Sequence, residues 1–228
     1  MKRPDICYLC GLPLLDDVSA DHIPPKQFYG KEVRKAHAPN LVTLAAHGKC
    51  NKSFQLDEDY FTNSLVPLAD SYSGPSVLLD KAEDHQKGKD VRLHFGILKE
   101  FDKKPSGLVL PPGVIAKRYD GTRVRRVIWK IVRGLYFRER SIVLSESSRR
   151  RIRLYDPGQK PGDEFFLVPS EIELGSYPGV FAARRRFVDD PKNRGGIYCL
   201  LFWDKIVATV VFETHEENAN STNLTAPS

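Results

Sequence analysis

Apolar residues recur every three or four positions in one long segment of the chain. Val124, Ile128, Ile131 and Leu135 follow this spacing, and arginine and lysine residues occupy many of the positions between them. Side chains at this spacing line one face of a helix. The pattern predicts an amphipathic helix over residues 122–139 that carries basic residues on its other faces.

β-prone residues dominate the chain after this helix. Runs of β-branched and aromatic residues between turn-forming residues are typical of strands. The predicted strands are 151–155, 164–168, 179–188, 196–203 and 206–213. Before the helix, residues 91–119 alternate enough to predict one or two further strands. The polar residues 214–228 are predicted to form a disordered tail.

The N-terminal part shows a different order of elements. Residues 18–21 and 41–44 predict two strands, and residues 51–66 predict a helix in which Asp57, Glu58 and Asp59 form a solvated charge cluster. Pro24 and Pro25 prevent a helix directly after the first strand, because proline lacks an amide donor. The pattern here is strand, loop, strand and helix.

These patterns together predict an α+β protein in several pieces. The predicted division is an N-terminal module over 1–70, a connection over 71–90 with a short helix at 77–83, an α+β domain over 91–213, and the tail over 214–228. The C-terminal domain combines the basic helix with a mostly antiparallel sheet.

Composition limits the class of protein. The chain has 228 residues, of which 41% are hydrophobic, and this is enough for a substantial core. No apolar run approaches the roughly 20 residues that cross a bilayer, and the first residues lack the apolar stretch of a signal peptide. We therefore expect a cytoplasmic protein without membrane association. Four cysteines are too few for a disulfide scaffold, so we expect them to be reduced.

Charge is distributed unevenly. Residues 1–60 contain eight basic and eight acidic residues, and are neutral overall. Residues 110–156 contain thirteen basic and four acidic residues, a net charge of +9. This surplus favours an acidic partner such as the backbone of a nucleic acid. The candidate contacts are Arg123, Arg126, Lys130, Arg133, Arg149, Arg150 and Arg151.

Metal-ligand residues occur at close spacing near the N-terminus. Cys7 and Cys10 are separated by two residues, as are His47 and Cys50. Two such pairs are the ligand set of a closed, tetrahedral, structural zinc site. His37 is an alternative to His47 as the fourth ligand.

Between and beside these pairs lie residues suited to the hydrolysis of phosphodiesters. A nuclease needs an activated water molecule and positive charge near the leaving oxygen. His22 can accept a proton from water, and Asp21 and Asn51 offer oxygen ligands to Mg²⁺ or a similar cation. Because adjacent residues of a strand point to opposite faces, Asp21 and His22 need a local bend to reach a common site.

These residues over positions 5–62 resemble the HNH endonucleases, the zinc-stapled group of ββα-metal (His-Me finger) nucleases. The resemblance implies a ββα-metal module with His22 as the general base and with Asp21 and Asn51 as ligands of a catalytic Mg²⁺ or Mn²⁺ ion. It implies that Asn40 braces the loop and that Cys7, Cys10 and Cys50 bind structural zinc, with His47 as the fourth ligand in place of the usual cysteine. The lysine often found three residues after the last Asn is Phe54 here, so phosphate contact passes to Lys49 or Lys52.

The sequence thus predicts a metal-dependent endonuclease that cuts DNA rather than RNA. The resemblance suggests a role in restriction, phage defence or mobile elements, and a homodimer is left open. Two alternatives belong to other classes. One is a zinc-stabilised module that binds nucleic acid without catalysis, and the other is a sensor in which a ligand of the C-terminal domain gates the nuclease.

Overall fold

The structure is a computed structural model that describes residues 6–37, 41–69, 73–88, 91–102, 105–107, 109–112, 116–155, 168, 170–189 and 194–214. These residues combine helices with antiparallel sheet, in agreement with the predicted α+β class. The α-helices are α1 (Lys31–His37), α2 (Gly48–Leu65), α3 (Ser73–Gln86), α4 (Val91–Leu98) and α5 (Gly121–Arg140). The strands are β1 (Val18–Ile23), β2 (Val42–His47), β3 (Phe101–Asp102), β4 (Ala116–Lys117), β5 (Arg150–Leu154), β6 (Ser170–Tyr177), β7 (Phe181–Asp189), β8 (Arg194–Phe202) and β9 (Ile206–Thr214). Short 3-10 helices lie at Lys26–Phe28, Val66–Leu68 and Pro105–Gly107.

Strands β1 and β2 form an antiparallel pair that leads directly into α2. Their register runs without interruption from Val18 opposite His47 to Ile23 opposite Val42. Helix α2 begins at Gly48, immediately after β2. The order of strand, loop, strand and helix therefore matches the sequence prediction, although the predicted loop also contains α1.

The C-terminal strands form a five-stranded antiparallel sheet in the order β5-β9-β8-β7-β6. Strands β8 and β9 are joined by a tight turn in which Trp203 and Asp204 have positive φ angles of 49° and 57°. On β8, Tyr198, Leu200 and Phe202 are buried on the face that meets the core. Strand β5 lies at one end of this sheet, with β9 as its partner.

Helix α5 packs between the hairpin, α2 and the sheet. Asp120 caps its N-terminus, because its side chain accepts hydrogen bonds from the backbone N–H groups of Thr122 and Arg123. At Gly134 the helix approaches β1 closely, and a Cβ atom there would lie 2.6 Å from Cγ1 of Ile23. Glycine at this position thus permits the contact between α5 and the hairpin.

One hydrophobic core joins the N-terminal and C-terminal parts of the chain. Phe28 stacks on Phe61 with 5.1 Å between ring centroids, and both rings contact Phe202 and Trp203. The indole N–H of Trp203 donates to the carbonyl oxygen of Phe28 over 3.1 Å. The β-turn after β8 is therefore anchored to the segment that follows β1.

The region between α3 and α5 differs from the prediction of strands. Residues 91–98 form α4, and β3 and β4 are only two residues long. Leu93 and Ile97 lie four residues apart and turn the same side of α4 towards the core. The strands predicted for 91–119 are thus present but short, and α4 was not predicted because a short apolar run does not distinguish a helical from a strand period.

Other differences are smaller. Helix α3 is longer than the predicted 77–83, and strand β6 was not predicted. The predicted strand 164–168 lies, apart from Val168, outside the described residues, as do residues 215–228 of the predicted tail. None of the helices in the described ranges is both long and apolar enough to cross a membrane.

Candidate metal centre

Four side chains from the N-terminal part of the chain converge on one point. Cys7, Cys10, His47 and Cys50 each offer a ligand atom, and these atoms all lie within 4.8 Å of one another. In a tetrahedral zinc site the ligand atoms lie roughly 3.5–3.8 Å apart, given Zn–S bonds of about 2.3 Å and Zn–N bonds of about 2.0 Å. The cluster, called the Cys3His cluster below, can therefore hold a zinc ion. The side chain of His37, the alternative fourth ligand, lies outside the described residues.

A tight loop presents the first two cysteines. The backbone N–H of Cys7 donates to the carbonyl oxygen of Leu12 over 2.9 Å, and the N–H of Gly11 donates to the carbonyl oxygen of Cys7 over 2.8 Å. Gly11 has a φ angle of 75°, which glycine adopts without the steric cost of a side chain. This turn brings Cys10 back beside Cys7.

The second pair lies where β2 ends and α2 begins. Nδ1 of His47 is 3.3 Å from Sγ of Cys10, and Nε2 is 3.1 Å from the carbonyl oxygen of Pro13. A proton on Nε2 would donate to this carbonyl and leave Nδ1 free to bind a metal ion. The N–H of Gly48 donates to the carbonyl oxygen of Asp17 over 2.7 Å, and this hydrogen bond holds the start of α2 against the residue that directly precedes β1.

None of the four cysteines, including Cys199 on β8, is joined in a disulfide in the structure. Burial raises the pKa of Cys50 to about 12, and the charge of Cys7 adds to the effect. A metal ion bound between the sulfur atoms favours the thiolates, so its binding releases protons.

Asp21 is buried and has partners on both carboxylate oxygens. The hydroxyl of Tyr8 donates to Oδ2 over 2.6 Å, and Nζ of Lys130 lies 2.8 Å from Oδ1. Lys130 is fully buried and also forms an ion pair with Glu58 of α2. Burial, followed by the charge of Asp21, raises the pKa of Tyr8 well above its usual value, so its hydroxyl remains a donor.

The strand geometry separates Asp21 from His22. The pairing of β1 with β2 continues through both residues, opposite Leu44 and Thr43, with no bulge. Adjacent side chains on a regular strand point to opposite faces. The regular pairing therefore directs Asp21 and His22 to opposite faces of β1, and its register shows no bulge that would bring them to a common site.

His22 is half-buried near the end of β1. Burial lowers its pKa, and the positive charge of Lys26 lowers it further. The imidazole is therefore predominantly neutral at pH 7 and can accept a proton.

Asn51 lies in the first turn of α2, directly after Cys50. Its side-chain amide donates to Oγ of Ser19 over 2.9 Å. Ser19 and Asp21 are two residues apart on β1 and share a face of the strand. Asn51 thus contacts the strand that carries Asp21, but its amide is directed to Ser19. Asn40, the predicted bracing residue, lies outside the described residues.

The basic residues that were predicted to contact nucleic acid fall into several groups. Lys49 and Lys52 are exposed on the first turns of α2. Arg149 and Arg151 are exposed beside or on β5. Arg150 is partly buried, with its guanidinium 4.7 Å from the ring centroid of Trp129.

The cations of α5 mostly serve internal packing. Arg123 and Arg126 both form ion pairs with Asp57 of α2, which is 9% exposed. Arg133 is 2% exposed, and its guanidinium donates to the carbonyl oxygens of Leu144 and Leu9. Together with buried Lys130, these side chains do not form the exposed basic face that the sequence analysis expected. Their charges face acidic and carbonyl groups of the neighbouring elements.

Tyr8 and Glu58 were missed as members of this arrangement. The sequence predicts that Glu58 belongs to a solvated charge cluster, whereas in the structure its carboxylate contacts the buried Lys130. The position of Lys130 in the sequence could have indicated a buried partner. It lies three residues after Val127 and four before Gly134, on the apolar side of α5. A lysine at such a position requires a buried carboxylate.

No protein-family model, curated protein or solved structure matches this chain.

Proposed function

We propose that the protein is a metal-dependent HNH endonuclease that hydrolyses phosphodiester bonds of DNA. The observation that carries this proposal is the position of the Cys3His cluster at the junction of β2 and α2. The strand paired with β2 carries His22, and Asn51 follows Cys50 at the start of α2. Structural zinc at this junction would hold the strand pair and the helix in a fixed arrangement.

His22 is the proposed general base. Its half-buried imidazole would take a proton from a water molecule that attacks phosphorus. The 3′ oxygen then leaves with negative charge, which a bound Mg²⁺ or Mn²⁺ ion can stabilise. The HNH resemblance assigns that ion to Asp21 and Asn51.

The described conformation does not fit an ion between Asp21 and Asn51. Both oxygens of Asp21 are taken by Tyr8 and Lys130, and the Asn51 amide donates to Ser19. An ion at Asp21 would have to displace the Lys130 ammonium. This observation favours a second candidate function, a zinc-stabilised module that binds DNA without cutting it.

Cleavage assays separate the two functions. Purified protein is incubated with plasmid and single-stranded DNA in Mg²⁺, Mn²⁺ or EDTA, alongside the variant His22→Ala. His85→Ala is the matched control, because His85 is an exposed histidine on α3. Nuclease function predicts cutting that requires the added ion, is lost in His22→Ala and is retained in His85→Ala.

Two results would decide against the proposal. Cutting by His22→Ala at the rate of the unmodified protein would rule out His22 as the base. DNA binding without cutting in any of the ions would establish the non-catalytic function instead. A cytoplasmic location and a homodimer stay predictions from the sequence.

A further inference from the structure

One edge of the five-stranded sheet carries several exposed arginine side chains. Strand β5 lies at the end of the sheet, and the start of α5 runs beside it. A groove of about 370 Å³ between them is lined by Arg125, Arg151 and Arg153, together with Tyr119 and Leu154. A neighbouring groove of about 640 Å³ is lined by Arg125 and Arg149 and also by Glu146, whose carboxylate pairs with Arg133 and Arg150.

The alternation along β5 places Arg151 and Arg153 on the face away from the core, whereas Arg150 turns towards Trp129 of α5. Ile152 and Leu154 are partly buried and pack against the core. Arg149, Arg151 and Arg153 fall on the opposite side of the pleat and are exposed. Residues two apart on a strand are separated by about 6.7 Å, so this face presents a row of evenly spaced cations.

These arginines, together with Arg125 of α5, differ from Arg123 and Arg126, which pair with the buried Asp57. Among the residues that the structure describes, no carboxylate lies within 4.0 Å of the guanidinium of Arg125, Arg151 or Arg153. Arg149 is paired with Glu213 at 3.4 Å, but the two side chains are 80% and 50% exposed. Such an exposed pair contributes little and exchanges readily for another anion.

Strand β5 also offers backbone donors at this edge. Its described partner is β9, on one side only. Alternate N–H groups of an edge strand point away from the sheet. Guanidinium groups and backbone N–H groups are the donors that proteins use against phosphate oxygens.

We propose that the two adjoining grooves at this edge of the sheet, lined between them by Arg125, Arg149, Arg151 and Arg153 and together called the groove below, bind the phosphodiester backbone of DNA. The choice of DNA as the polyanion rests on the proposed function, whereas the location of the contact rests on the charges and the groove. The contact is independent of base sequence, because the guanidinium groups meet phosphates rather than base edges. Compared with the surface predicted from the sequence, the proposed DNA-contacting surface adds Arg125 and Arg153. It leaves out the α5 residues whose charges are used in internal packing, namely Arg123, Arg126, Lys130 and Arg133.

Fluorescence anisotropy with a short labelled DNA duplex tests this proposal. The assay contains EDTA, so that cutting does not contribute, and compares the unmodified protein with Arg151→Gln/Arg153→Gln. The control Lys87→Gln/Lys99→Gln removes the same charge from exposed positions outside the groove. We expect the groove variant to raise Kd on the order of tenfold and the control to leave it within about twofold.

The salt dependence gives a second readout. Loss of two phosphate contacts reduces the slope of log K against log salt by about 1.8. Arg151→Lys/Arg153→Lys keeps the charge and should keep most of the slope. A groove variant with the Kd and slope of the control would overturn the proposal, as would tighter binding of polyglutamate or RNA than of DNA.

This experiment is independent of catalysis. If the protein binds DNA tightly through the groove but does not cut it, the proposed DNA contact is supported and the proposed nuclease function is refuted. If the protein cuts DNA but the groove variant has the same Kd as the unmodified protein, the nuclease function is supported and the proposed DNA contact is refuted.

Discussion

Replacement of Lys130 by methionine tests the central charge arrangement of the fold. Methionine keeps an unbranched side chain of similar length but removes the ammonium. Lys130 is fully buried, and its Nζ contacts Asp21 at 2.8 Å and also contacts Glu58. The variant leaves two carboxylates without their cation, in a place where Asp21 is only 4% exposed.

The expected cost follows from this burial. Removal of one member of a buried ion pair destabilises a protein by about 3–5 kcal/mol, because the remaining charge is uncompensated. The hydroxyl of Tyr8 still donates to Asp21, so we expect a value near 3 kcal/mol, at the lower end of that range. This is a large share of the roughly 5–15 kcal/mol that stabilises a typical domain.

Urea unfolding at neutral pH measures the effect as a lower midpoint with an unchanged m-value. The matched control adds Asp21→Asn and Glu58→Gln to Lys130→Met, because neutral amides remove the buried charges. This triple variant should recover most of the lost free energy. A loss below about 1 kcal/mol in the single variant would refute the assignment of Lys130 as a buried counter-ion.

The pH dependence gives an independent check. Burial raises the pKa of Glu58, and Lys130 opposes this effect. Without Lys130 the folded-state pKa of Glu58 rises further, so protonation favours the fold below that pKa and this contribution is lost as the pH rises through it. The destabilisation caused by Lys130→Met should therefore shrink as the pH falls from neutral towards the usual carboxyl range. A cost that grows over this interval would contradict the reasoning.

The remaining predictions concern the Cys3His cluster and the contact between α5 and β1. The unmodified protein should contain one zinc ion per chain by plasma emission spectrometry, Cys10→Ser should lose most of it, and Cys199→Ser should retain it; zinc retained by Cys10→Ser would contradict the ligand assignment. Gly134→Ala should destabilise the protein by about 1–3 kcal/mol in thermal unfolding, because the new Cβ meets Ile23, and the double variant with Ile23→Ala should cost less than the sum of the single changes. Additive changes would show that the close contact is not the cause.

Local patterns in the sequence were sufficient for part of the fold and of the site. The apolar spacing predicted α5 to within a residue at each end, and the ligand spacing of two residues predicted the Cys3His cluster. The pattern of α5 lies within one short segment. The ligands of the Cys3His cluster lie in two segments on either side of the paired strands β1 and β2.

Partners from distant segments were not predictable in this way. The pairing of Lys130 with Asp21 spans 109 residues, and nothing in either local segment specifies it. The role of Arg133 likewise depends on the carbonyl oxygen of Leu9, 124 residues away. The sequence alone therefore predicts a binding surface on the basic helix, although packing directs most of its charges inward.

The bond between Trp203 and the carbonyl oxygen of Phe28 has a consequence for biosynthesis. The four residues of the Cys3His cluster are all present once residue 50 has been synthesised. The aromatic core around Phe28, in contrast, needs residues 202 and 203. At about 5–20 residues per second the ribosome takes roughly 8–30 seconds to cover that interval. The nascent chain can thus acquire zinc well before its aromatic core can close, and a fragment that ends at residue 70 would leave Phe28 and Phe61 without their later partners.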